Sequence, residues 1–236
     1  MTSSTEPVSV PAPEGTSNVY NRIPGLFFRT TGIGDTDEGS GDNPWETGSY
    51  DYALINAGIA NFNILEYTSV LPAEARAIPL AEAKKHFHHG SVLECIMAHV
   101  NGKKNDILTA GVGSVHVWDK QEHRYIGGYA CEYTRKTTGS TAAKEKEKAE
   151  AGLTNDLKNL LKRRYPNNDT AKRYIYDFPE HLVTSVEVKK TYGTALASLC
   201  WITFGYADVP TQLFDAVEPW PRDRDQAGGD DPGSDA

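Results

Sequence analysis

The chain has 236 residues, 39% of them hydrophobic, and a net charge of −8 at pH 7, which fits a globular protein of one generous domain or two small ones with a sizeable core. The clearest basic cluster, Lys162-Arg163-Arg164, closes a mixed-charge helix and forms no broad stripe, so charge argues against nucleic acid as a partner. Since the sequence holds neither a run of about 18 apolar residues nor a secretory signal, we expect a cytoplasmic protein with no membrane partner.

The composition changes at both ends of the chain. Residues 1–21 are rich in Ser, Thr, Pro and Glu, and residues 221–236 are acidic and rich in Gly. Neither segment has enough apolar side chains to form a core, so both are predicted to be disordered tails. The working domain is therefore expected at residues 22–220.

The first predicted elements are a short apolar strand at residues 26–31 and a long loop at residues 32–48. The loop contains five glycines and several acids, which is typical of a binding loop or an insertion. Its triplet Gly32-Ile-Gly34 does not complete a dinucleotide or phosphate fingerprint. A role in a turn or in close packing explains the triplet better.

A short helix is predicted at residues 50–57, because Ser49 can cap its start and Gly58 its end. Asp51 then lies in the first turn, where the helix dipole favours an acid. The next residues, 61–70, alternate loosely between apolar and polar types and are predicted to be extended.

Three strands are predicted in the middle of the chain, at residues 91–100, 106–118 and 124–134. The two faces of the third strand differ. One face carries Tyr125, Gly127, Tyr129, Cys131 and Tyr133, and the other carries Ile126, Gly128, Ala130 and Glu132. The carboxylate of Glu132 is thus expected among small and apolar side chains.

A long helix is predicted from Ser140 to just before Pro166, and strands are predicted at residues 182–189 and 195–204. The helix presents apolar residues at helical spacing, namely Ala149, Leu153, Leu157, Leu160 and Leu161. The element order predicts an α/β (α+β) fold. We expect a layered αββα sandwich with mostly antiparallel sheets and helices packed outside.

The cysteines and histidines do not form a metal-site pattern. Cys95, Cys131 and Cys200 are far apart among apolar neighbours, so buried reduced thiols are predicted. The cluster at residues 86–89, His-Phe-His-His, has no Cys or second His pair at zinc-site spacing, and a solvated helix end explains it better. No metal is predicted.

The most informative stretch runs from Asn56 to Pro79 and reads Asn-Ala-Gly-Ile-Ala-Asn-Phe-Asn-Ile-Leu-Glu-Tyr-Thr-Ser-Val-Leu-Pro-Ala-Glu-Ala-Arg-Ala-Ile-Pro. It resembles the pyruvoyl-dependent arginine decarboxylase family, whose members carry a similar Asn-Ala-Gly-Ile segment, then an Asn, then a Ser-Ser or Thr-Ser cleavage pair. An aliphatic pair and Pro-x-Glu-Ala follow. The resemblance continues through residues 110–114, Glu132-Tyr133 and residues 185–201, and spans about residues 26–204.

The resemblance implies that the chain cleaves itself between Thr68 and Ser69 into a β chain, residues 1–68, and an α chain, residues 69–236. The Ser69 hydroxyl is expected to attack the Thr68 carbonyl carbon and form an ester, through an oxyanion that needs hydrogen-bond donors. Elimination, hydrolysis and loss of ammonia then turn Ser69 into a covalent pyruvoyl group, the one cofactor implied. Thr68 merely supplies the carbonyl.

The resemblance also assigns roles to three other residues. Asn63 matches the residue that supports self-cleavage. Glu132 matches the proton donor to the substrate carbon, and its expected apolar face agrees with a raised pKa. Asp51 matches the acid that holds the substrate guanidinium through bidentate hydrogen bonds.

The implied reaction converts L-arginine to agmatine and CO2 through a Schiff base on the pyruvoyl ketone. The family resemblance further implies a homotrimer of cleaved protomers, with active sites shared between neighbouring subunits. The implied partner is thus a small-molecule substrate, an amino acid, and no external cofactor is needed.

Simpler interpretations of the same residues remain open. A Thr-Ser pair commonly ends a strand without any chemistry, Asp51 can be an ordinary first-turn acid, and Glu132 can pair with a nearby Lys or Arg. Two alternative functions also remain. One is a pyruvoyl-dependent decarboxylase of another amino acid, and the other is an unprocessed trimer that acts as a binding or scaffold protein.

Overall fold

A computed structural model describes residues 22–206 of the chain. The two predicted disordered tails, residues 1–21 and 221–236, lie outside this range, as do residues 207–220 of the predicted domain. Within the described range, no helix is both long and apolar enough to cross a membrane.

Twelve strands and four α-helices make up the described part of the chain. The strands are β1 (Arg22–Pro24), β2 (Leu26–Thr36), β3 (Asn63–Glu66), β4 (Val70–Leu71), β5 (Arg76–Ala77), β6 (Val92–Lys103), β7 (Ile107–Asp119), β8 (Arg124–Thr137), β9 (Tyr174–Asp177), β10 (Leu182–Glu187), β11 (Tyr192–Trp201) and β12 (Phe204–Tyr206). The helices are α1 (Asp51–Ala57), α2 (Leu80–Ala83), α3 (Ala142–Arg164) and α4 (Asn168–Ala171).

Two five-stranded sheets dominate the fold. The first sheet has the order β3-β6-β11-β2-β5, and the second has the order β10-β7-β8-β4, with β9 also paired to β7. Strands β1 and β12 form a separate two-stranded ribbon. Only the β3–β6 and β2–β5 pairs are parallel among the described strands, so the predicted antiparallel character is confirmed.

The two sheets stack face to face, and a helix covers each outer face. The core between the sheets contains Phe27, Leu71, Ile96, Ala98, Leu108, Ala110, Val112, Ala130, Ala197, Leu199 and Trp201, among others. Helix α1 packs on the outside of the first sheet, and α3 packs on the outside of the second. The arrangement is the predicted αββα sandwich.

The predicted loop at residues 32–48 is wrong in its first third, because β2 continues to Thr36 and pairs with β11 from Phe27 to Thr36. The glycines reflect a close approach of helix α1. A side-chain carbon at Gly32 would collide with the carbonyl oxygen of Ala53, and one at Gly34 would collide with that of Ser49. Glycine is therefore required for close packing, as the triplet suggested, and not for a turn.

Helix α1 is confirmed, but the expected cap by Ser49 is wrong. Ser49 is buried and shares a hydrogen bond of 2.8 Å with Thr194, so its hydroxyl does not cap the helix. An irregular helical turn at Glu46–Tyr50 leads directly into α1 instead. Gly58 ends the helix as predicted, with a left-handed φ of 76° and its N–H bonded to helix carbonyls.

Helix α3 is confirmed, with Thr141 accepting a hydrogen bond from the N–H of Lys144 at its start. Four of the five predicted core residues, Ala149, Leu153, Leu157 and Leu161, are buried against the second sheet. Leu160 is only half-buried.

The predicted faces of β8 are correct only beyond a register shift near Ile126, opposite the Val117/Trp118 step of β7. Because of this bulge, Ile126 packs toward helix α3, while Tyr125 stacks on His116. Past the bulge the predicted alternation holds, and Ala130 lies in the core between the sheets.

Candidate active site

The Thr68-Ser69 pair lies where the chain passes from one sheet to the other. Strand β3 ends at Glu66 in the first sheet, and β4 begins at Val70 in the second. On the N-terminal side of the pair, the N–H of Tyr67 donates a hydrogen bond of 2.6 Å to the carbonyl oxygen of Cys95 in β6. The pair thus connects the edges of the two sheets.

Ser69 is held on the second sheet by its own carbonyl, which accepts a hydrogen bond of 2.9 Å from the N–H of Ala130. The pairing continues through Val70 opposite Tyr129. Thr68 is exposed and Ser69 is half-buried. The bond between these two residues is therefore open to reaction while the chain on each side of it is fixed.

Glu132 lies near Ser69 because it is two residues beyond Ala130 on the same strand face. That spacing corresponds to roughly 7 Å along the strand. Partial burial raises the pKa of the Glu132 carboxyl above its usual value, and the negative charge of Glu66 raises it further. A hydrogen bond from its own backbone acts in the opposite direction. The site therefore holds a carboxyl with increased proton affinity.

Sequence reasoning missed a group of polar residues beside Glu132. Glu66, at the end of β3, lies 3.7 Å from Nδ1 of His99, whose ring centroid is 5.2 Å from that of Tyr50. Burial and the charge of Glu66 raise the pKa of the Tyr50 hydroxyl to about 12. The only available signal was the position of Glu66 three residues before Ser69, since His99 and Tyr50 are distant in sequence.

Asp51 follows Tyr50 at the start of α1 and is exposed. Within residues 22–206, its carboxylate makes no hydrogen bond or ion pair. Asp51 is thus linked to the Ser69 region only through the neighbouring Tyr50, His99 and Glu66. A carboxylate without a fixed partner is available to a cationic ligand.

Asn63 lies at the opposite end of β3 from the Thr68-Ser69 pair. Its side-chain amide donates a hydrogen bond of 2.7 Å to the carbonyl of Gly90. The intervening strand is extended, at about 3.3 Å per residue, so one chain does not bring Asn63 into contact with Ser69. The predicted residues that one chain brings together are therefore Thr68, Ser69 and Glu132.

The residues around position 69 fit a pyruvoyl group. Conversion of a serine changes its amino group and side chain but keeps its carbonyl, so the hydrogen bond from Ala130 to that carbonyl is compatible with the product. The converted atoms would lie at the half-buried junction between the sheets, beside Glu132. Across residues 22–206, no cluster of three or more His, Cys, Asp or Glu residues could hold a metal ion.

Comparison with known proteins gives a consistent assignment. The sequence model of the family described as pyruvoyl-dependent arginine decarboxylase matches residues 26–205. A protein of Chlamydia caviae named pyruvoyl-dependent arginine decarboxylase AaxB is 35% identical over 196 residues, which cover 80% of this chain and 96% of that protein. The chain therefore belongs to the pyruvoyl-dependent arginine decarboxylase family.

Two other relatives show how the similarity extends. The protein of the same name from Chlamydia pneumoniae is 35% identical over 193 residues, 79% of this chain and 95% of its own length. A protein of Methanothermobacter thermautotrophicus named pyruvoyl-dependent arginine decarboxylase is 31% identical over 75 residues, 31% of this chain and 47% of its own length. The similarity to the chlamydial proteins thus spans nearly their whole length.

Proposed function

We propose that the chain cleaves itself between Thr68 and Ser69, converts Ser69 into a pyruvoyl group and decarboxylates L-arginine to agmatine and CO2. The observation that carries this proposal is the position of the Thr68-Ser69 pair at an exposed junction between two sheets, beside Glu132. Family membership and the names of the chlamydial relatives support both the reaction class and the substrate.

Self-processing uses groups that the junction already holds. The Ser69 hydroxyl adds to the carbonyl carbon of Thr68, and the peptide C–N bond is exchanged for an ester. The fixed backbone on either side, at Tyr67 and at the Ser69 carbonyl, reduces the motion that must be lost to reach this geometry. Elimination then releases Thr68 as a carboxylate, and hydrolysis with loss of ammonia gives the ketone at position 69.

In decarboxylation, the pyruvoyl ketone supplies the electron sink that carbon dioxide loss requires. The chain's own residues bind and move protons. The N–H of Ala130 keeps the carbonyl of residue 69 in place, Glu132 holds a proton for the substrate carbon, and Asp51 accepts hydrogen bonds from the guanidinium.

The remaining parts of the proposal concern assembly. We place the active sites between neighbouring subunits of a cytoplasmic homotrimer, where Asn63 and Asp51 can come from a different chain than Ser69. This arrangement accounts for the separation of Asn63 from Ser69 within one chain. Asn63 is then a support for self-cleavage and for positioning the new group.

An intact-mass spectrum of the purified protein tests self-processing. We expect cleavage after Thr68 and an α chain that begins with pyruvoyl instead of serine. The Ser69→Ala variant should remain whole and inactive, whereas Ser185→Ala, which removes a hydroxyl bonded to Thr109 in the second sheet, should be cleaved normally. A wild-type protein that stays whole would favour the unprocessed scaffold instead.

A panel of amino acids tests the substrate. We expect release of agmatine and CO2 from L-arginine, with much lower turnover of lysine and histidine, because Asp51 suits a planar guanidinium. If the cleaved protein does not decarboxylate arginine but decarboxylates another amino acid, the proposed substrate is wrong. The proposed self-processing would still stand.

A further inference from the structure

A buried carboxylate contacts Tyr67, the residue that precedes the Thr68-Ser69 pair. Glu94 of β6 is only 3% exposed and accepts hydrogen bonds from the Tyr67 hydroxyl and the Arg22 guanidinium. Its partner across the first sheet is Trp201, whose side chain belongs to the core between the sheets. Glu94 therefore faces the interior of the sandwich.

Both partners of Glu94 are themselves restrained. Arg22 lies 4.4 Å above the ring of Phe204 and 3.3 Å from the Tyr67 hydroxyl, while the Tyr67 ring packs against the core between the sheets. A buried carboxylate is strongly unfavourable unless it is paired and hydrogen-bonded. Because the buried Glu94 carboxylate requires hydrogen-bond donors, its hydrogen bond from the Tyr67 hydroxyl holds the Tyr67 side chain in one position.

Tyr67 is attached to the first sheet at two points. Its N–H donates to the carbonyl of Cys95, and its hydroxyl reaches Glu94 on the neighbouring position of β6. Ser69 is attached to the second sheet through Ala130. Thr68, whose carbonyl is attacked, is the single residue between these two attachments.

We propose that Tyr67 and Glu94 are positioning residues for the first step of self-processing, an inference that rests on the proposed function. In this step a bond forms between Ser69 Oγ and the Thr68 carbonyl carbon, the Thr68–Ser69 C–N bond breaks, and the hydroxyl proton passes to the released amine. By fixing Tyr67, the hydrogen bond to Glu94 restricts the orientation of the Thr68 carbonyl toward that oxygen. Neither residue touches the reacting atoms.

The test follows processing of the full-length chain made by cell-free translation, with samples separated on denaturing gels. Tyr67→Phe keeps the ring but removes the hydroxyl, and we expect cleavage to slow by at least about tenfold, in line with loss of a hydrogen bond to a charged group. Glu94→Gln should slow cleavage similarly. The double variant should be no slower than the slower single variant, because the two residues act as one unit.

Tyr165→Phe is the matched control. It removes a hydroxyl that lies 3.1 Å from that of Tyr129, on the helix-covered face of the second sheet, and it should be cleaved at the wild-type rate. Thermal unfolding of Tyr67→Phe in the uncleavable Ser69→Ala background checks folding. Its melting temperature should match that of Ser69→Ala alone to within a few degrees.

Hydroxylamine identifies the step that is affected, since it cleaves esters faster than peptide bonds. During wild-type processing it should release an α chain that begins with serine, whereas release from the Tyr67→Phe precursor should be at least about tenfold slower because the ester forms more slowly. Hydroxylamine cleavage of Tyr67→Phe at the wild-type rate would overturn the positioning role. So would equal processing of Tyr67→Phe and wild type, or purely additive effects in the double variant.

The same gels separate this inference from the proposed function. If the wild-type chain is never cleaved, self-processing itself fails. If the wild type is cleaved and Tyr67→Phe is cleaved at the same rate, only the proposed role of the Tyr67–Glu94 pair is wrong.

Discussion

The role proposed for Glu132, donation of a proton to the substrate carbon, depends on the surroundings of its carboxyl. A carboxyl with an ordinary pKa is almost fully ionised at neutral pH and has little proton to give. Partial burial on β8 raises the pKa of Glu132. We therefore expect Glu132→Gln, which keeps the shape and removes the acid, to cleave itself but to lose about 100-fold or more in decarboxylation rate.

The control for this variant is Glu187→Gln, at the exposed end of β10, which should decarboxylate at the wild-type rate. Processing is read from the intact mass and activity from the CO2 released per mole of pyruvoyl group. Normal turnover by Glu132→Gln would remove Glu132 from the mechanism.

Glu66 gives a second prediction, which concerns pH. Its negative charge raises the pKa of Glu132, so the protonated form of Glu132 persists to higher pH than it would alone. Removing that charge in Glu66→Gln should lower the pKa of Glu132. The alkaline limb of the turnover-number profile should then move to lower pH. A limb that stays in place, or moves to higher pH, would contradict the coupling.

At the scale of elements, the junction of β7 and β9 contains an acid-sensitive contact. The Arg173 guanidinium, just before β9, makes bidentate hydrogen bonds with buried Asp119 at the end of β7 and lowers the pKa of that carboxyl to about 2. The unfolded value is about 3.9. Since the folded pKa is lower, the contact stabilises the protein above the unfolded value, and this stability is lost as pH falls toward 2.

Asp119→Asn should therefore lower the melting temperature at pH 6 and narrow the difference in melting temperature between pH 6 and pH 3. The asparagine side chain can still accept a hydrogen bond from the N–H of Gln121, so the turn after β7 should persist. Glu122→Gln serves as the control, because Glu122 is more than half exposed and lies 3.9 Å from the same guanidinium. An equal pH response in Asp119→Asn and wild type would refute the assignment.

The elements with strong local patterns could be predicted from the sequence, and those set by tertiary contacts could not. Helix α3 and its buried leucines follow from helical spacing alone. The true end of β2 could not be predicted, because Gly32 and Gly34 are typical loop residues in sequence. Their role in close packing depends on the tertiary contact with the segment that includes α1. Similarly, the position of the bulge at Ile126 depends on the pairing of β8 with β7.

The residues of the candidate site could be predicted only in part. Thr68, Ser69 and Glu132 could be named because they belong to motifs that resemble a family. Their proximity could not be deduced, since it depends on β4, a two-residue strand that pairs with β8 about 60 positions away in sequence. The link from Tyr67 to Glu94 depends likewise on the parallel pairing of β3 with β6.

At the scale of the whole molecule, the exposed large apolar residues of the described chain are concentrated on the elements that hold the residues proposed for the site. Five of the six in the described chain are Tyr52, Ile55, Leu65, Val70 and Val92, which lie on α1, β3, β4 and the start of β6. These are the elements that carry or adjoin Asp51, Asn63 and Ser69. Such a concentration favours burial of this surface between subunits.

The last prediction compares two exposed isoleucines. Ile55 is 55% exposed on α1, four residues after Asp51, and Ile175 on β9 is 36% exposed on the second sheet. If neighbouring subunits share the site, Ile55→Glu should place an unpaired charge in the interface and dissociate the assembly. Ile175→Glu should leave the assembly intact at about three times the 25.9 kDa of one chain.

Light scattering after size-exclusion chromatography gives the mass, and CO2 release from arginine gives the activity. Because Asn63 and Asp51 are proposed to come from a different subunit than Ser69, loss of the trimer should abolish decarboxylation together with the change in mass. A monomeric Ile55→Glu protein that keeps full activity would mean that one chain contains a complete site. In that case Asp51 would have to act on the substrate in its own subunit, and its only links to the Ser69 region among the described residues are Tyr50, His99 and Glu66.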